Sequence, residues 1–331
     1  MAESNRPTCA KVDEMSDTRR KKSGDASARK SASKPASNRK HTPHARKRRK
    51  KVTLSQRWRR ASFATRFKII SIGTITTICV IALVAGLAHF LRWYSDLQTA
   101  EARQLELSQQ YNFDPGNIIS DGQFFNGNAM SEAEIQSFLE SKGGAIATMR
   151  FDTTTQKADE LCGEYKGAKQ ESAAAIIEKS GRACKVSQKV LLTVLQKEQH
   201  LVTATNPNDF QLKSAMGLSC PDDASCDPQY AGFFKQMFGS AKRYQYYVRH
   251  EGDYAYQSGK LTSILYNPDK NCGSADVYIR NKATALLYIY TPYQPNKAAL
   301  EAGDGEGDSC STYGNRNFSN IYNYWFGNPR N

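Results

Sequence analysis

Glu198 is the residue in this chain best placed to do chemistry, because of what its own helix puts around it. The run Ser187-Gln-Lys-Val-Leu-Leu-Thr-Val-Leu-Gln-Lys-Glu-Gln-His-Leu-Val-Thr203 has helical periodicity. At about 100° per residue, Leu191, Val194, Leu195, Leu201 and Val202 share an arc of about 120°, with Glu198 at its centre. Gln188, Lys189, Gln196 and Lys197 take other faces. A carboxyl group on an apolar stripe is costly unless it is paired, hydrogen-bonded or kept protonated. A carboxyl group held neutral near pH 7 is what a general acid in glycoside cleavage requires. The plain alternative is a glutamate at the helix end, salt-bridged or reaching solvent.

A glycoside hydrolase would want a second carboxylate, and Asp209, Asp222, Asp223 and Asp227 lie in the loops that follow. Nothing in the sequence sets one of them opposite Glu198. The C-terminal half is crowded with aromatic residues: Tyr244, Tyr246, Tyr247, Tyr254, Tyr256, Tyr266, Tyr288, Tyr290, Tyr293 and Trp325. Exposed rings beside Asn and Gln suit a glycan groove, although any single one is more simply a packing residue. His200 and His250 are isolated, and no zinc motif, nucleotide loop, G-x-S-x-G or internal repeat is present. Neither a metal nor a cofactor is expected.

The elements that must position Glu198 read as mainly helical. Ser131 and Glu134 form a capping-box pattern for a helix through Ser141. Further helices are expected over Glu171 to Gly181, from a Ser187 cap to about Thr203, over Pro228 to Val248, over Ser274 to Tyr290 and over Asn317 to Phe326. Strand-like alternation is scarce. The fold class is therefore mainly α, with long loops pinned by disulfides.

Charge is distributed very unevenly. Residues 1–68 carry 22 Lys/Arg and 5 Asp/Glu, a net of +17, so the rest of the +14 chain has a net of −3. Residues 1–66, rich in Ser, Ala, Lys and Arg, are expected to form a disordered cytoplasmic tail. Its natural partner is anionic lipid of the inner leaflet rather than a specific nucleic acid. From Ile69 to Leu91 there are 23 residues without Asp, Glu, Lys or Arg, and about 20 apolar residues cross a bilayer core. A transmembrane helix over residues 67–91 is expected as an uncleaved signal anchor. Basic residues on its N-terminal side place the N-terminus in the cytoplasm. A stalk over 92–110 and an extracytoplasmic domain over 111–331 follow.

Cysteine usage fits this topology. Cys9 lies in the tail and Cys79 in the span, and the other six lie beyond it. Sequence neighbours give the simplest set of disulfides, Cys162–Cys184, Cys220–Cys226 and Cys272–Cys310, although other pairings are formally possible.

The helix Val190-Leu-Leu-Thr-Val-Leu-Gln-Lys-Glu198-Gln resembles the catalytic helix of lytic transglycosylases and goose-type lysozymes, in which an apolar helix ends in a catalytic Glu. In that superfamily a Gly-Leu-Met-Gln motif follows, and Ser214-Ala-Met-Gly-Leu218 is similar, with Ser219-Cys220 in place of Met-Gln. Gln199 stands where the family usually has Ser. Ala285-Leu-Leu-Tyr-Ile-Tyr290-Thr-Pro-Tyr293-Gln-Pro-Asn296 matches the family's later Tyr-Asn-Ala-Gly element only at Tyr290. The Phe-Phe-Asn-Gly-Asn and Tyr-Gly-Asn-Arg-Asn-Phe elements are similar to those of actinobacterial exported proteins. The resemblance implies a lysozyme-like domain that cleaves peptidoglycan glycan strands, as a lytic transglycosylase or muramidase. Glu198 would be its general acid/base, and Gly217, Tyr290 and Tyr293 would bind substrate. The alternative is a non-catalytic wall-binding or cell-envelope scaffold on the same fold.

Overall fold

The computed structural model describes residues 53–220 and 226–331. Most of the basic tail, Cys9, Asp222 and Asp223 lie outside the described residues. The chain divides into two units, Met1–Ser71 and Ile72–Asn331.

The described part of the first unit holds a short helix, α1 (Leu54–Arg60), and the start of α2 (Phe63–Tyr111). Arg66 at the start of α2 donates to the carbonyls of Trp58 (3.0 Å) and Arg59 (2.7 Å). These bonds add side-chain donors at the C-terminal end of α1, where the Trp58 carbonyl also accepts from the Ala61 amide.

In the second unit, α2 presents an apolar stretch long enough to cross a membrane, with none of it buried. Thr76 and Thr77 return their hydroxyls to the carbonyls of Ile72 and Gly73, so these polar groups are satisfied within the helix. The helix does not stop at the apolar boundary. It continues through the expected stalk to Tyr111, and its last turns dock on the domain: Ala100 and Gln104 are buried. Gln104 accepts from the Tyr278 amide (2.8 Å) and donates to the Tyr278 carbonyl (3.3 Å). Arg103 donates to Tyr266 and Gln294. An apolar helix therefore leads directly into a disulfide-bearing domain.

That domain is mainly helical: α3 (Asp121–Phe124), α4 (Glu132–Lys142), α5 (Ala173–Cys184), α6 (Gln188–Gln199), α7 (Asp209–Lys213), α8 (Phe233–Arg249), α9 (Lys282–Tyr290), α10 (Lys297–Glu301) and α11 (Gly314–Phe326). Two antiparallel hairpins join them, β1 (Arg150–Phe151) with β2 (Glu171–Ser172), and β3 (Lys260–Leu265) with β4 (Ser274–Ile279). The capping box of α4 forms as its sequence reads, with Ser131 and Glu134 each satisfying the other's backbone amide. At the centre, α5 packs on α4, α6 and α8, and α11 covers α6. The six cysteines beyond the span pair as sequence neighbours: Cys162–Cys184, Cys220–Cys226 and Cys272–Cys310.

Three elements differ from the sequence expectation. The stretch from Ser274 to Tyr290 is strand then helix. Val277 and Ile279 alternate into the core opposite β3, and Asn281 starts α9 by accepting from the Thr284 amide. The helix expected from Pro228 is a single 3₁₀ turn, cut from α8 at Gly232, whose φ of 107° no helix accommodates. Finally, α6 ends at Gln199, where His200 takes a left-handed conformation (φ 56°). Leu201 and Val202 are still fully buried, but they reach the core from a turn. Val190 through Leu195 are buried on every side, so α6 is a central helix rather than a one-faced one.

The turn before the first disulfide is held by a carboxylate. Asp159 accepts from the Leu161 and Cys162 amides (2.9 and 3.0 Å) and from Lys242 of α8. The bond from Lys242, then those from the backbone, hold its carboxyl at about 2, below the ordinary 3.8. A carboxylate with a lowered folded-state value contributes stability above about 3.8, and that contribution is lost as pH falls through about 2. Asp159→Asn should therefore flatten the acid-side decline of the thermal midpoint between pH 4 and 2, as followed by circular dichroism.

Candidate functional site

Glu198 occupies the last turn of α6, one turn beyond Val194 and Leu195 on the same face, where the buried helix emerges. Its side chain is 22 % exposed. Around it the structure brings together Gly217 and Tyr290, two of the three residues expected to bind substrate. The Tyr290 hydroxyl lies 3.0 Å from Glu198 Oε1 and 2.6 Å from the carbonyl oxygen of Met216. Gly217 abuts the other carboxylate oxygen: a Cβ built there would lie 3.0 Å from Glu198 Oε2 and 3.1 Å from the Tyr290 hydroxyl. Gly217 also has φ +67°, so both its conformation and the space beside it call for glycine.

The loop carrying Gly217 is set from below by a side chain with no exposure. Gln236 of α8 accepts from the amides of Met216 (3.1 Å) and Leu218 (3.0 Å) and donates to the carbonyls of Leu218 and Tyr230 (both 3.0 Å). One side-chain amide thus satisfies four buried backbone groups and fixes the height of Gly217 under Glu198. The preceding Ser214, Ala215 and Met216 are buried. The Cys220–Cys226 bridge closes the loop beyond it. At the helix end, Gln211 donates to the Gln199 carbonyl (2.9 Å), one of the carbonyls α6 leaves without a helical partner.

Two neighbours complete the junction. Lys197 Nζ lies 2.6 Å from Glu198 Oε1 and 5.2 Å from the centre of the Tyr290 ring, and its side chain is 11 % exposed. Glu198 is therefore ion-paired as well as hydrogen-bonded. The periodicity set Lys197 on another face, but its long stem bends back over Tyr290 to reach the carboxylate, as lysine side chains do at partly buried positions. Tyr244 of α8 packs edge-on against Tyr290, with centroids 5.9 Å apart, and its buried hydroxyl has no hydrogen-bond partner among the described residues. Burial first, and then the charge of Glu198, raises both the Tyr290 and Tyr244 hydroxyls well above the ordinary 10. Both remain neutral phenols, and Tyr290 keeps a proton to donate.

A phenol with one proton between two acceptors accommodates either form of a carboxyl group. Tyr290 donates to a carboxylate, or it donates to the Met216 carbonyl and accepts from a carboxylic acid. Oε1 has the Tyr290 and Lys197 contacts, while Oε2 accepts no hydrogen bond from a protein group among the described residues.

Among the described residues no hydrogen bond or ion pair ties the remaining candidates to Glu198. Tyr293 bonds through its backbone, its carbonyl accepting from Asn315. Among the described residues no hydrogen bond or ion pair joins Asp209 or Asp227 to Glu198, and Asp227 accepts from the Gln229 amide of its own turn. Tyr288 is a core residue whose hydroxyl donates to the Pro115 carbonyl, and Tyr256 and Tyr266 are tied to Pro292 and Arg103. Among the described residues no cluster of His, Cys, Asp or Glu is arranged to hold a metal ion.

Gly217→Ala would push a methyl group at Glu198 and strain a left-handed backbone, together at about 2–6 kcal/mol. Chemical denaturation should show a loss in that range, whereas Gly252→Ala, with nothing within 4 Å of its Cβ position, should leave stability within about 0.5 kcal/mol.

Comparison with protein-family models matches residues 117–331 to the family described as LasA, N-terminal domain. No curated protein and no solved structure matches.

Proposed function

The chain belongs to the LasA N-terminal domain family, and on that premise we propose that its domain acts on the bacterial cell wall, cleaving peptidoglycan glycan strands with Glu198 as a single general acid/base. The observation that carries this reading is the meeting of Glu198, Gly217 and Tyr290 at one point. They come from three separate segments, and they are three of the four residues that the lysozyme-like resemblance picks out, Tyr293 being the fourth.

In this reading the apolar helix α2 anchors the protein in the membrane. The basic residues before it stay in the cytoplasm, against anionic lipid, and the domain faces the wall. Glycan strands are what a domain held at that position reaches.

The chemistry needs one carboxyl group used twice. Glu198 Oε2 donates a proton to the glycosidic oxygen between two amino sugars as the bond from that oxygen to the anomeric carbon breaks. Oε2 then takes a proton from the nucleophile that attacks this carbon. If the nucleophile is a hydroxyl group of the same sugar, an anhydro product results; if it is water, a reducing end results. Tyr290 keeps Oε1 in place through both states by donating to it, because the proton that moves is carried on Oε2. The ion pair with Lys197 holds the resting carboxylate, so substrate entry has to part the two, or the ammonium has to pass its proton across, before the first step. Gly217 leaves room for a sugar to approach Oε2 without meeting a side chain.

The same ion pair favours a second reading, a non-catalytic wall-binding or envelope scaffold in which Lys197 and Glu198 simply neutralise each other at the end of a helix. The two readings part on one experiment. Full-length protein in detergent is incubated with purified peptidoglycan, and soluble muropeptides are separated by chromatography. The enzyme reading expects release by the wild type and a fall of at least about a hundredfold in Glu198→Gln, in line with removal of an acid/base group. No release by the wild type, or equal release by Glu198→Gln, returns the protein to the scaffold reading.

A further inference from the structure

A second site lies on the far side of the helix that carries Glu198. The end of α6 and the outer face of α11 line a cavity of about 560 Å³, in which Gln196 and His200 face Asn320, Asn323, Tyr324 and Trp325. Gln196 and Glu198 stand about 200° apart around α6, and the lining does not include Glu198, so the cavity is separate from that junction.

Its chemistry is specific. No Lys or Arg lines it. Its single carboxylate, Asp304, accepts from Asn320 (3.0 Å) and stands among neutral amides and rings, so the lining forms no cluster of like charges that would hold an ion. Tyr324 is 84 % exposed, the most exposed large aromatic side chain described in the domain, although Phe318 and Tyr322 of the same helix are buried. At the rim of the cavity this ring has the Lys142 ammonium 5.9 Å from its centre and leaves most of its surface open to a ligand. Beside it the Trp325 ring is braced, edge-on to Phe138 at 5.2 Å and with the Lys142 ammonium 5.1 Å from its centre. Gln196, Asn320 and Asn323 supply amide donors and acceptors. Apolar ring faces next to uncharged amides suit a ligand with hydroxyl and amide groups around an apolar ring face and with no net charge.

We propose that this cavity binds a neutral saccharide, which makes it a glycan-holding site whose existence does not depend on whether Glu198 is catalytic. A site of this kind would keep a strand on the domain while another part of it is processed or released.

Trp58, Trp93 and Trp325 are the tryptophans of the chain, so Trp58→Phe with Trp93→Phe leaves Trp325 as the only indole reporter. Full-length protein of this background in phospholipid nanodiscs is titrated with tri-N-acetylchitotriose while Trp325 emission is followed. A saturable change is expected. Tyr324→Ala should weaken it by about tenfold or more, Glu198→Gln should leave it as it is, and inorganic phosphate alone should not produce it. Tyr324 is exposed, so its replacement leaves folding intact, and circular dichroism checks that. Calorimetry of the same sugar against the chain with all three tryptophans, with and without Tyr324→Ala, repeats the test without the reporter background. The proposal is overturned if no saturable response is seen, if Tyr324→Ala does not weaken it, if phosphate alone reproduces it or if Glu198→Gln abolishes it. None of these results bears on muropeptide release, so this site and the catalytic reading fail separately.

Discussion

A buried backbone amide or carbonyl without a partner costs about 1–3 kcal/mol, and this domain runs several irregular segments through its interior. Glutamine side chains meet much of that requirement. Gln104 joins the end of the long helix to the Tyr278 backbone. Gln188 accepts from the amides of Ala129 and Met130 and donates to the carbonyls of Gly127 and Glu178. Gln236 holds the Gly217 loop. Gln294 donates to Ile264 and Ala275 of the β3–β4 hairpin while accepting from Arg103. All four side chains are essentially without solvent exposure. Each has two donors and an acceptor with two lone pairs, which is what a loop crossing a helix end requires.

The candidate site inherits its rigidity from this arrangement. Glu198 extends from a helix buried on all sides, Gly217 is held from beneath by Gln236, and Tyr290 is the last residue of a helix capped by Asn281. Three chain segments therefore converge on the Tyr290 hydroxyl with little freedom to separate. Rigid elements bearing a few polar groups are what a pre-organised site needs. The Lys197 ion pair sits on top of this frame and is the one contact there that a ligand would have to displace.

Local patterns were the legible part of the sequence. The apolar run, the capping box at Ser131 and the neighbouring cysteines each lie within a short window, and each is found in the structure. Glu198 was legible for the same reason, since its face follows from residues three, four and seven positions earlier. Leu201 and Val202 belonged to that reading only by coincidence, because the left-handed His200 takes them off the helix. The β3–β4 hairpin was hidden because Ser274-Ala-Asp-Val-Tyr-Ile runs without a glycine or proline into a strong helix former, and only the pairing with Lys260–Leu265 makes it a strand. The glutamine clamps were invisible for a deeper reason: each satisfies backbone groups distant in sequence, and their composition alone reads as polar surface. Lys197 was set on another face because periodicity tracks Cβ directions, whereas a four-carbon stem can turn back.

The central claim is that Glu198 and Tyr290 work as one unit on a glycan. A double-mutant cycle on muropeptide release, with Glu198→Gln, Tyr290→Phe and the pair, measures that coupling directly. The account predicts that Tyr290→Phe slows release in the wild-type background and has little further effect once Glu198 is Gln, since groups acting together are strongly non-additive. Equal fold-losses from Tyr290→Phe in both backgrounds would show that the hydroxyl contributes only to stability, and would contradict it.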